Sequence, residues 1–492
     1  MSSEYNPRNR SNINAFFPVD INQFVSAFKR NLTDRSTKAA VETSTGSMIL
    51  NTLVEFVIGQ GLEAQSSPEN SILNWTEEQR SRFMSQAESL FRMYAGSRRI
   101  DHYGKMNFYQ AQKVALFNAL VDGDFLLHRS YRNGHHNYEP YFQLLSGKWV
   151  RNPMDTTMDT KKLTGGVEFD EAGREYRYWI VETLVDRGDS LTSRPVWKYN
   201  PRTNFEEYNL VRFGIREANQ VRGIPVLTPI LNDIFDLEEF KVAYRMKAAT
   251  QALFTGIITS DKDAPAPAVS AIDKIKSLQV PDPQDTLLNG GHKVDDIALG
   301  TGNIIQLDPG EKFDMAESKV PAADYEKYME TELPQITAAV GLAYEMVLQK
   351  YSNNYSASRA TIAGQEKKFR NMRDDLASGF CNPTWEQVID WGIRRGLIDA
   401  PGYIGGDWRY RQAVLAVTWI GPSPINIDPK KEVEAHILAI DAGLETREQA
   451  CRELYQTDYE ETAERIRKEQ DMAPTYVKDV NITDSGEEEN NG

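Results

Sequence analysis

Cysteine is almost missing from this 492-residue chain: Cys381 and Cys451 stand far apart with no second pair. Two isolated thiols exclude a disulfide scaffold and a Cys-rich zinc module, and they fit assembly in a reducing compartment. Histidine is nearly as scarce, with six residues in all. His135 and His136 are adjacent behind Asn133-Gly134, a spacing that suits a surface turn better than two ligands converging on one ion, and His102, His128, His292 and His436 are scattered. No apolar run approaches the roughly 18 residues of a membrane span, and the polar stretch Met1 to Arg10 leads into no hydrophobic block, so neither a membrane span nor a signal peptide is expected. The chain also lacks a G-x-x-x-x-G-K-[ST] phosphate loop and a G-x-G-x-x-G turn, so any ATP-driven step falls to another protein. No cofactor and no metal are expected.

What is present argues for a folded, acidic protein. Lys and Arg number 56 against 71 Asp and Glu, a formal net charge of −15, and 40% of residues are apolar. At about 150 residues per domain the length suggests roughly three structural units. The acidic balance argues against gripping nucleic acid along a basic face, although it leaves room for a protein that lets DNA pass. Asp122 and Asp124 form a candidate acid/base pair, but among 71 carboxylates a chance pairing is expected and no catalysis is assigned to them.

The periodicity divides the chain. Residues 1–25 read as an arm, and a helical pattern from Ile21 to Leu62 ends at Gly59-Gln60-Gly61. Helices follow over Thr76 to Tyr94 and Asn107 to Leu120. From Asp122 to Pro225 the chain turns β-rich, with Asp170 to Gly173 as the turn of a hairpin. A helix is expected from Pro229 to Ile258, about 45 Å long, with Leu227, Ile230, Ile234, Leu237 and then Tyr244 at helical spacing. A mixed insert with a strand near Lys312 precedes a second helix, Ala322 to Leu342, carrying Pro334. The polar segment Lys350 to Tyr355 leads into a helix to Leu376, and the remainder to Glu469 reads as helical before an acidic tail. The fold class is α+β.

Six segments, in order, bring a family into view. Val57-Ile58-Gly59-Gln60-Gly61-Leu62 resembles a V-V-G-x-G-I signature, Asp122-Gly123-Asp124-Phe125 a G-E-x-F strand start, and Gly166 to Arg174 a G-V-E-x-D-x-x-G-R hairpin. Gln220 to Pro225 resembles Q-x-R-G-V-P, Leu307 to Glu311 matches L-x-P-G-E, and Asn354 to Ala360 is similar to N-Y-S-S-x-R-A. These are motifs of the lambda-type portal proteins of tailed bacteriophages, and the resemblance covers about residues 45–375. Phe213 stands near a position where that family carries histidine.

The resemblance implies a closed ring of about twelve subunits at one capsid vertex. It implies a flexible arm over 1–25, a wing over 26–225, stem helices over 226–261 and 322–345 around a clip at 262–321, a tunnel loop and crown over 346–450, and a C-terminal helix with a disordered acidic tail over 451–492. Lys350, Tyr351, Asn353 and Asn354 would face DNA from the tunnel loop, while Leu227, Ile230, Ile234, Leu237 and Tyr244 would pack against neighbouring stem helices. The implied role is a passive conduit for double-stranded DNA, not an enzyme. Its implied partners are a terminase motor, a head–tail adaptor and the major capsid or scaffold protein. It would sit in the virion, after assembly in the host cytoplasm. A different head–tail connector, or an enzyme of phage DNA metabolism, is the alternative.

Overall fold

The computed structural model describes residues 21–132, 138–153, 162–184, 190–253, 257–260, 311–314, 322–350, 355–422, 429–455 and 459–472. The chain divides into two compact units, one of residues 1–235 with 333–492, the other of residues 236–332.

The larger unit starts with α1 (Ile21–Glu42) and α2 (Ser44–Val57), parted at Thr43, whose side chain accepts from the Gly46 N–H as a helix cap. The single helical stretch expected over 21–62 is thus two helices. α3 (Asn70–Leu73) precedes α4 (Glu77–Gly96) and α5 (Phe108–Asp122). Thr76 and Asn107 open α4 and α5 with reciprocal capping boxes, each closed by a glutamine three residues on, Gln79 and Gln110. Gly123, at φ +83°, ends α5 and turns the chain directly into a strand.

Two antiparallel sheets follow. β2 (Asp124–Arg132) lies between β3 (Glu139–Ser146) and β8 (Tyr208–Arg212). β4 (Leu163–Thr164), β5 (Val167–Phe169), β6 (Glu175–Leu184) and β7 (Ser190–Trp197) form the second. The expected hairpin turn stands between β5 and β6, with Asp170 Oδ1 accepting the N–H groups of Ala172 and Arg174. Tyr178, Ile180 and Val196 alternate inward onto Leu126, Val150, Val167 and Leu210, which joins the two sheets around one core.

α6 (Leu231–Leu253) opens after a turn at Thr228–Ile230. It stops short of the expected Ile258: the β-branched run Ile257-Ile258-Thr259 lies instead in β9 (Ile257–Ser260), antiparallel to β10 (Glu311–Asp314). α7 (Ala322–Ala339) contains Pro334. Within the smaller unit, Phe240 and Tyr244 of α6 meet α7 through Tyr328 at 4.1 Å and Tyr325 at 4.6 Å between ring centroids, so the two helices carry a shared aromatic cluster.

α8 (Tyr344–Leu348), α9 (Tyr355–Leu376), α10 (Asn382–Arg394) and α11 (Trp408–Leu415) return to the larger unit. The stretch expected as tunnel loop and crown therefore shares a unit with the N-terminal helices and sheets. Trp385 of α10 packs on Phe91 of α4 at 5.0 Å. The all-helical reading of the C-terminal part also fails at one point, since β11 (Val417–Ile420), made of Val-Thr-Trp-Ile, pairs antiparallel with β1 (Glu63–Ser66). α12 (Pro429–Asp441), α13 (Arg447–Tyr455) and α14 (Tyr459–Met472) close the described chain. No helix among the described residues is long and apolar enough to cross a membrane.

Candidate functional site

Asp124 is the first residue of β2, fully buried, and reached from three directions. Arg222 donates Nε to Oδ2 at 2.8 Å and an η nitrogen to Oδ1 at 2.7 Å, a bidentate fork. Lys29 of α1 donates to Oδ2 at 2.9 Å, and the Gly223 N–H donates to the same oxygen at 2.9 Å. Arg222 spends its remaining donors on the carbonyls of Gly147, Val150 and Gly165. All five guanidinium N–H groups are thereby satisfied, so burial of this charge leaves no orphan donor on it. Lys29 also donates to the carbonyls of Asp122 and Gly223.

The electrostatics follow from this packing. Desolvation would push the Asp124 carboxyl up, but the charges and hydrogen bonds of Arg222 and Lys29 outweigh it and hold the group far below the usual carboxylate range. Burial lowers the Lys29 ammonium to about 8 against the opposing pull of Asp124. Burial raises the Asp122 carboxyl, and Ser146 Oγ donates to it. Asp124, Arg222 and Lys29 thus form a structural ion cluster, while the Asp122 carboxyl is held separately by Ser146.

Two of the sequence motifs, Asp122 to Phe125 and Gln220 to Pro225, meet here because their glycines let backbone touch backbone. A Cβ on Gly223 would stand 1.7 Å from the Gly123 carbonyl oxygen, and one on Gly147 would stand 2.0 Å from Asp124 Oδ1. Phe213 is buried and donates its backbone N–H to the Gly123 carbonyl. In the hairpin, Glu168 accepts from Tyr176, Trp179 and both Nε and an η nitrogen of Arg177. Elsewhere, Gln112 bonds both the N–H and the carbonyl of Leu62, which fixes the Gly59-Gln60-Gly61 break onto α5.

The expected site residues fall into separate groups. Leu227, Ile230 and Ile234 are already at 0% exposure within one chain, and Leu237 is buried too. Their apolar stripe is complete without a neighbouring subunit, which corrects the expectation that neighbours cover it. Tyr244 lies in the aromatic cluster of α6 and α7. On α6, Val242 and Met246 are 52% and 66% exposed, one helical turn apart, and sequence spacing had not singled them out. Lys350 is exposed just after α8; Tyr351, Asn353 and Asn354 lie outside the described residues, as do His135 and His136. Among the described residues no cluster of His, Cys, Asp and Glu could hold a metal ion. Lys29 carries no motif, and nothing in its local sequence marks it as the third member of the ion cluster.

Comparison with known proteins agrees with this motif geometry. A family model described as phage portal protein, lambda family, matches residues 14–373, beginning earlier than the motifs themselves. The portal protein of Escherichia phage N15 is 24% identical over 326 residues, 64% of this chain and 59% of that protein. Portal protein B of Escherichia phage lambda is 23% identical over 345 residues, 67% of this chain and 63% of that protein. The matched part thus spans about three fifths of these relatives. Solved chains from the virion of a native gene transfer agent particle and from the neck of an empty one are similar at TM-scores of 0.41 and 0.43, with 9% and 10% identity, covering 85% and 86% of this chain and 92% and 93% of theirs. With the family model spanning most of its length, the chain belongs to the lambda family of phage portal proteins.

Proposed function

We propose that copies of this chain close into a ring at one capsid vertex and form the channel through which DNA is packaged, retained and ejected. Family membership over residues 14–373 is the observation that carries this reading. In it, the helices α6 and α7 with their aromatic cluster belong to the stem, the residues between them to the clip, and the sheets around Asp124 and Arg222 to the wing. Each subunit touches two neighbours through unlike surfaces, and closure by rotation limits growth. Val242 and Met246 are apolar side chains left in water on a stem helix, and a neighbouring subunit is what would cover them.

The chain acts as conduit, not motor. A terminase supplies the push, a head–tail adaptor and the capsid or scaffold protein hold the ring, and assembly takes place in the host cytoplasm. A ring of about twelve chains would carry about −180 formal charge, screened beyond about 10 Å in 0.1 M salt, which disfavours phosphate adhesion to the wall. Lys350 then supplies a sparse ring of weak, sequence-independent phosphate contacts. Native mass spectrometry of the purified protein tests the reading: one closed multi-subunit species is expected, and a monomer, or a ladder of open-ended lengths, contradicts it.

A further inference from the structure

Beside the ion cluster, the larger unit holds a cleft of about 510 Å³ whose charge the channel reading does not use. Its walls carry five cationic side chains, Lys29, Arg30, Lys148, Arg151 and Arg222, against the single carboxylate of Asp34. Lys29 and Arg222 are spent on Asp124, which leaves Arg30, Lys148 and Arg151 facing Asp34 in a protein that is acidic as a whole. The Arg30 contact to Asp34 is long, 3.9 Å, and Arg30 is largely exposed. Burial and the neighbouring Arg30 both depress the Arg151 guanidinium, and Asp34 offsets them only in part. Trp149 lines the same cleft, half-buried, with its inner side against the core of the two sheets.

We propose that this cleft binds a phosphate-bearing ligand of mononucleotide size. Guanidinium, ammonium and hydroxyl donors set around one space suit a phosphate with several acceptor oxygens, and the Arg pair offers forks that match it. A volume of about 510 Å³ exceeds what a lone inorganic anion fills and lies within the range of small-ligand pockets, while Trp149 supplies a stacking face for a base. The site lies within the larger unit and does not depend on the channel assignment.

Calorimetric titration of the full-length protein with AMP, inorganic phosphate, adenosine and a hexaglutamate peptide tests it. AMP should bind saturably at one site per chain, phosphate more weakly and in competition, and adenosine not at all. Lys148→Gln removes an exposed cation of the cleft wall, so it should leave thermal stability unchanged and weaken AMP about fivefold. Arg151→Gln should weaken it tenfold or more, while Arg174→Gln, on an exposed turn away from the cleft, should leave it unmoved. If Arg151→Gln fails to fold, Lys148→Gln decides. Absence of saturable AMP binding at millimolar concentration, equal loss in Arg174→Gln, no loss in Lys148→Gln, or tighter binding of hexaglutamate than of AMP would each overturn the proposal.

Discussion

Arg222 grips Asp124, 98 residues earlier in the chain, with two parallel hydrogen bonds of 2.8 and 2.7 Å, and both side chains are sealed from water. The pair joins the strand that follows α5 to the segment that leads into α6. Removing one partner strands the other as a buried charge, which costs about 3–5 kcal/mol. Asp124→Ala and Arg222→Met should each lower the free energy of urea unfolding by about that much. Arg222→Lys should recover little, because an ammonium cannot span the two Asp124 oxygens and the carbonyls of Gly147, Val150 and Gly165 together.

Lys29 gives the same cluster a pH signature. Its folded value, about 8, lies below the unfolded value near 10.5, so between those limits the unfolded chain binds more protons and stability rises with pH. The contribution is unfavourable below about pH 8 and is relieved on going to about pH 10.5. Subtracting the unfolding free energy of Lys29→Met from that of the parent across pH 7 to 10 should give a difference that climbs with pH; a flat difference would show that Lys29 is not held as described. Asp124 has the same sense in a lower window: its folded value is depressed, so its stabilising contribution is present above the unfolded carboxylate range and is lost as acid drives the pH down through the folded value.

Gly223 tests the close approach of the motif backbones. Gly223→Ala places a methyl group 1.7 Å from the Gly123 carbonyl oxygen, both partners being backbone, and should cost about 3 kcal/mol by chemical denaturation. A loss below about 0.5 kcal/mol would mean the two segments separate easily.

Much of this architecture was legible locally. The turn at Asp170–Gly173, the caps at Thr76 and Asn107 and the glycine break at 59–61 each depend on residues within a few positions of one another, so the sequence carries the whole signal. What was not legible is long-range. The strand Val417–Ile420 needs β1 as its partner, and the hydroxyls of Ser67 and Thr418 that meet at 3.4 Å are 351 residues apart. Ile257 and Ile258 continue a helical spacing, yet their β-branched run pairs with Glu311–Asp314 across a long insert. At the ion cluster the motifs marked Asp124, Arg222 and Gly223, but Lys29 is one cation on an amphipathic helix until tertiary packing aims it inward. The stripe Leu227, Ile230, Ile234 looked like an intersubunit seam because periodicity reports that a face is buried and not what buries it.

That distinction moves the assembly test. Ile234→Asp would unfold the chain's own core, whereas Val242 and Met246 are exposed in the single chain. Val242→Asp with Met246→Asp should leave the melting temperature within a few degrees of the parent and abolish the multi-subunit species in light scattering. Rings of normal size in the double variant would remove this face of α6 from the interface.

Lys350 addresses DNA contact alone. It is exposed, so Lys350→Glu should preserve folding and ring size while lowering the fraction of DNA-filled heads when particles are assembled with it. Parental levels of filled heads would show that the cation does not touch DNA.

The most direct test of the channel itself is electron microscopy of the purified full-length protein with class averaging. The account predicts closed rings of one rotational symmetry around a central hole wide enough to pass a DNA duplex; particles that are monomeric, open-ended or closed without a through-hole would contradict it.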